Sequence, residues 1–125
     1  MLFMPPLLLV RGAIAAVWLY EGLWCKLLGC APNQRDIVES VPFLGRSHGR
    51  LVLSAIGLLE CALALWVLTG WEPVWAAAVQ TGILVGMNLN GLLFARRLIH
   101  DPGGMLVKNF ALVVLMWEAA ARGSQ

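Results

Sequence analysis

The stretch "SAIGLLECALALW", Ser54 to Trp66, is apolar but for one acid, Glu60. A carboxylate inside such a run needs a partner or a proton. Other polar residues stand inside long apolar windows, among them Trp18, Gln80, Asn88, Asn90 and Asn109. Charges do as well, among them Arg11, Glu21, Lys108 and Glu118. Arg11 precedes Glu21 by ten residues, and Lys108 precedes Glu118 by ten. Two antiparallel helices carrying these charges in opposite order would pair at both ends, Arg11 with Glu118 and Glu21 with Lys108. Such pairs either fix which helix packs on which or serve a substrate or a proton. A third reading has the long cations reaching out to headgroups.

Glu60 lies about 13 Å along a helix from Leu51, with no cation from another helix expected at its depth. Its carboxyl is then expected to be protonated or hydrogen-bonded, facing the bundle interior and Asn88 or another polar group of the third helix rather than lipid. It acts either as an interhelical hydrogen bond or as a proton-exchanging or ligand-binding acid. Gly57, three before Glu60, and the spaced pair Gly82 and Gly86 suggest close helix packing nearby. Cys25 and Cys30 do not have redox C-x-x-C spacing, no metal-ligand pattern surrounds them, and free thiols are expected for both and for Cys61.

The elements that hold these residues follow from composition. The chain has 125 residues, 60% hydrophobic and only 13% charged, about half the charge usual for a soluble domain. A span needs about 20 apolar residues, and four windows qualify: 6–28, 51–69, 74–94 and 105–121. The expectation is an all-α, up-and-down membrane four-helix bundle forming a single domain over residues 1–125. No secretory signal peptide is expected, because no basic segment precedes the first apolar run. The connection 29–50 would carry a short interfacial helix over 34–40, capped by Asn33 and stopped by Pro42. Gly70 to Pro73 reads as a tight turn, and "DPGG" at 101–104 as a helix stop. Most of the six tryptophans fall where interfacial belts would lie, with Trp18 nearer mid-span. A net charge of +2 is too small to suggest nucleic acid. Lys26, Arg35, Arg46, Arg50, Arg96 and Arg97 gather on one side, so the loops 29–50 and 95–104 are expected to be cytoplasmic and both termini outward.

"VWLYEGLWCKLL", "AIGLLECALALWVLTG", "AAVQTGILVGMNLNGLL" and "HDPGGMLVKNFALV" together resemble the DoxX-like group of small four-helix membrane proteins. The first carries a Gly followed by a Lys. The second carries Gly57 and Glu60 at G-x-x-E spacing. The others carry Gln80, Asn88, Asp101-Pro102-Gly103, Lys108 and Asn109. Cys25 and Cys30 depart from that pattern. The resemblance implies an inner-membrane protein working beside oxidoreductases near quinone.

No nucleophile–base pair, intrinsic cofactor motif or metal cluster is legible, so catalysis by the chain alone is not expected. The first functional expectation is an accessory or anchoring subunit of a quinone-linked assembly. It would have quinone or lipid as ligand and a protein partner or a second copy beside it. The alternatives are a small proton-coupled permease, or a structural or assembly factor. Candidate site residues are Glu60, Asn88, Glu21, Lys108, Asn109, Gln80 and Trp18, with Arg11 and Glu118 structural.

Overall fold

The structure is a computed structural model describing residues 5–28, 36 and 49–124. Apart from Asp36, the expected 34–40 helix lies outside the described residues, as does Cys30. Helix α1 runs Leu7–Leu19 and continues without a break as a π-helix, Tyr20–Leu27. Then come α2 (Gly49–Thr69), α3 (Pro73–Phe94), a 3₁₀ turn (Arg96–Leu98) and α4 (Pro102–Gly123). No strand occurs among the described residues. Each of the four rods is long and apolar enough to cross a bilayer. Large apolar side chains point outward all round, among them Leu8, Leu58, Leu93, Val107 and Phe110. Water would not tolerate so much bare hydrocarbon, and lipid does. The chain is an all-α four-helix membrane bundle.

The turns follow local chemistry. Gly70 takes φ 71° and Glu72 takes φ 43°, which reverses the chain between α2 and α3. Thr69 Oγ1 accepts from Trp71 N–H there, and Trp66 Nε1–H donates to the Trp71 carbonyl at 2.7 Å. The DPGG segment corrects the expectation of a helix stop. Asp101 caps α4, accepting from Gly104 N–H at 3.1 Å, and Pro102 takes the first helical position. Proline lacks the N–H that would be orphaned there, so the segment starts a helix.

Helix one packs chiefly on α2, and α3 packs on α4. The well-filled core occupies one half of the bundle. It holds Val10, Ile14 and Trp18, Leu63, Ala64 and Val67, Ala77, and Met116, Ala119 and Ala120. Trp18, the tryptophan nearest mid-span, closes this half: it is 1% exposed and donates from Nε1 to Gln80 Oε1 at 2.8 Å. Gln80 in turn donates to the Ala76 carbonyl.

The expected zipper between helix one and α4 does not form. Glu118 is exposed, and among the described residues no ion pair joins it to Arg11. Arg11 instead reaches the C-terminal ends of α2 and α4. A methyl group added at Gly70 would stand 2.7 Å from its guanidinium carbon, and one at Gly123 would stand 2.8 Å from Nη2. Two helix C-termini offer partial negative charge to a cation, and the glycines leave it room. The Gly82–Gly86 pair is also corrected: nothing lies within 4 Å of where either side chain would begin.

Candidate functional site

The half of the bundle opposite the core is not filled. It contains a cavity of about 400 Å³ bounded by all four rods. Its apolar walls include Val17, Val52, Ile56, Leu84, Met87 and Leu112. Its polar lining is Glu21, Lys26, Glu60, Asn88, Asn90, Lys108 and Asn109. Apolar walls with few convergent polar groups are the usual make-up of a small-molecule site.

Glu60 is 1% exposed and faces this cavity, not lipid. Its partner is Lys26, which corrects two expectations. The Lys26 ammonium, itself buried, stands 2.8 Å from Glu60 Oε1. A cation is therefore present, and Asn88 is not the partner. The contact is a close, buried ion pair. Lys26 also lies 3.6 Å from Glu21 Oε2 and donates to the Glu21 carbonyl at 3.5 Å. Glu21 is thus engaged by Lys26, and among the described residues no ion pair joins it to Lys108.

Two features bring Lys26 to Glu60. The first is the π-helix. Residues five apart stand about 140° apart around an α-helix, so Glu21 and Lys26 would diverge. The wider π turn, bonded i to i+5, sets them on one face. The second is a close helix crossing. A methyl group added at Gly22 would stand 2.6 Å from the Gly57 carbonyl oxygen and 2.9 Å from Glu60 Cβ. One at Gly57 would stand 2.9 Å from the Gly22 carbonyl oxygen. The two backbones touch there, which lets a lysine on one rod reach an acid on the other.

Across the cavity, Asn109 donates from Nδ2 to Asn88 Oδ1 at 2.9 Å, and Asn88 donates to the Leu84 carbonyl at 2.7 Å. This amide pair ties α4 to α3. Trp18 also lines the cavity, while Gln80 stands behind it as the acceptor of the indole. Cys25 is buried and Cys61 half-buried, both as free thiols. Among the described residues no three His, Cys, Asp or Glu side chains gather as metal ligands would.

Sequence reasoning noted Lys26 only as a basic residue of one side and, with the Gly before it, as part of a resemblance; it missed the pairing of Lys26 with Glu60 and the π register. One signal was present: Gly22 and Lys26, four apart, lie opposite Gly57 and Glu60, three apart. Small residues where rods cross and charges just beyond them are a pattern that reads only once the two rods are known to be neighbours.

No curated protein and no solved structure matches the chain significantly. A family model described as the DoxX-like family does match, over residues 15–117. That span runs from mid-helix one to the last turns of α4 and includes every residue that lines the cavity. With its four apolar rods, its Gly57-x-x-Glu60 step and its aspartate-proline-glycine helix start, the chain belongs to the DoxX-like family of membrane proteins.

Proposed function

We propose that the protein is the membrane-embedded accessory subunit of a quinone-linked redox assembly, and that the cavity holds the quinone head. The observation that carries this reading is the cavity, where a buried Lys26–Glu60 pair and the Asn88–Asn109 amides meet apolar walls. A quinone has a flat apolar ring, two carbonyl acceptors and a hydrocarbon tail. The walls suit the ring, and lysine and amide N–H groups suit the carbonyls. The tail would pass between helices into lipid. The chain's own chemistry would be to hold the head and to offer or accept a proton at the Glu60–Lys26 pair. The electrons would come from a protein partner, because the chain carries no redox motif of its own.

The decisive experiment is a mass-spectrometric inventory of lipids and proteins that copurify with the full chain in a mild detergent. A quinone and an oxidoreductase are the expected companions. A preparation holding neither overturns the reading.

The same proposal places the protein in an inner membrane with the Arg96–Arg97 side in the cytoplasm. In a variant whose three cysteines are serine, His100→Cys is expected to react with a membrane-impermeant thiol reagent only after the cells are opened. Glu72→Cys is expected to react from outside. The reverse pattern would invert the topology.

A further inference from the structure

The donors and acceptors of the cavity do not balance. Its two carboxylates, Glu21 and Glu60, both face the Lys26 ammonium. Its second cation, Lys108, is exposed and has no ion pair or hydrogen bond among the described residues. Asn109, the next residue, uses one amide hydrogen on Asn88 Oδ1. An asparagine amide carries two, so one is left. Glu60, buried and lining the same cavity, is held by the Lys26 ammonium 2.8 Å from its Oε1.

We propose that Lys108, with Asn109 beside it, is the head-group anchor of the cavity. It holds an oxygen acceptor, a carbonyl or a carboxylate, on a single-chain amphipath whose body lies along Val52, Ile56, Met87 and Leu112. The inference rests on the reading that the cavity takes an amphipathic ligand, and it narrows the class. A cationic head would meet carboxylates that already face the Lys26 ammonium and would be repelled by it. An acceptor head meets donors that nothing else occupies. Two acids and two lysines sum to no net charge, so a neutral carbonyl leaves the cavity neutral, while a carboxylate adds one negative charge that Lys108 would have to offset. The position of Lys108 in the second turn of α4 supports this. Lys108 lines the cavity and is exposed, so a head can reach it while the tail stays in lipid.

The test uses the purified full chain in nanodiscs of zwitterionic lipid, with ubiquinone-1 and oleate as separate probes in calorimetric titrations. Lys108→Met is expected to weaken whichever probe binds by about tenfold or more, the loss typical of a hydrogen bond to a charged group. Lys108→Arg should retain most of the affinity and Lys108→Gln should fall between, which keeps the test open if the methionine variant folds poorly. Arg97→Met, a cation outside the cavity, should bind like the wild type. Equal affinities of wild type and Lys108→Met overturn the anchor and leave Lys108 as a residue that reaches out to headgroups. Binding of oleate without ubiquinone-1 keeps the anchor and overturns the quinone reading. Binding of neither probe overturns both.

Discussion

Replacing Lys26 with leucine is expected to destabilise the protein more than any other single change at the cavity. The substitution leaves Glu60, 1% exposed, with no ion-pair partner among the described residues. Removing one partner of a buried pair typically costs about 3–5 kcal/mol, because the other charge stays buried and uncompensated. The double change Lys26→Leu with Glu60→Leu removes both charges and puts hydrocarbon in their place, so it should recover most of that loss. Glu21→Gln is the control. Glu21 stands 3.6 Å from the ammonium with 42% of its side chain exposed, and a screened pair of this kind is worth at most about 1 kcal/mol. Thermal unfolding in one detergent, followed by circular dichroism, orders the variants. A Lys26→Leu protein that melts with Glu21→Gln would mean that the 2.8 Å contact contributes little. Ligand binding adds a second readout. If Glu60 exchanges a proton with the ligand, Glu60→Gln should fold and yet fail to bind or turn over quinone, whereas a packing role would leave binding intact.

The charges show where sequence reading succeeds and where it stops. The four rods were legible because each is a long apolar window in a chain with few charges, and lipid imposes that length directly. Glu60 was legible as an inward-facing residue for the same reason, since a bare acid at that depth is costly. Its partner was not. Depth was counted by α-helical rise, and that places Lys26 at the edge of the first span. The π-helix over Tyr20–Leu27 changes both the rise and the facing of every residue it contains, and nothing in "YEGLWCKL" announces it: there is no proline and no insertion to see. Pairing Glu21 with Lys108 by matched depth failed for the same reason, because Lys26 reaches Glu21 first. Arg11 shows a second limit. Its surroundings are the ends of two helices and two glycines, and backbone partial charge has no letter in the sequence. The Asn88–Asn109 bond was hidden differently. Both residues were singled out, but which helices are neighbours decides which amides meet, and here α3 packs on α4.

Alanine at Gly22 or Gly57 is expected to open the helix crossing and unmake the site, while alanine at Gly82 or Gly86 should be close to silent. A methyl group at Gly22 would stand 2.6 Å from a carbonyl oxygen of the facing backbone, and one at Gly57 would stand 2.9 Å from one. Backbone cannot rotate aside as a side chain can, so the rods must separate. Overpacking of this kind commonly costs about 1–3 kcal/mol. The charge pair adds to that cost, because a rod that moves outward at Gly57 carries Glu60, only three residues on, away from Lys26. Around Gly82 and Gly86 there is open space on the same criterion. Alanine there adds only helix propensity, up to about 1 kcal/mol in favour of the helix. All four substitutions add the same methyl group to a glycine in the first three rods, so hydrophobicity is matched and only the crossing differs. Melting temperatures alone would separate the two groups. The sharper measurement is the double cycle of Gly57→Ala with Lys26→Leu. If the crossing acts by setting the Lys26–Glu60 distance, the two losses should not add, since the first already removes part of what the second removes. Fully additive losses would mean that the glycine contact and the charge pair stabilise the bundle independently, and that the crossing does not position the lysine.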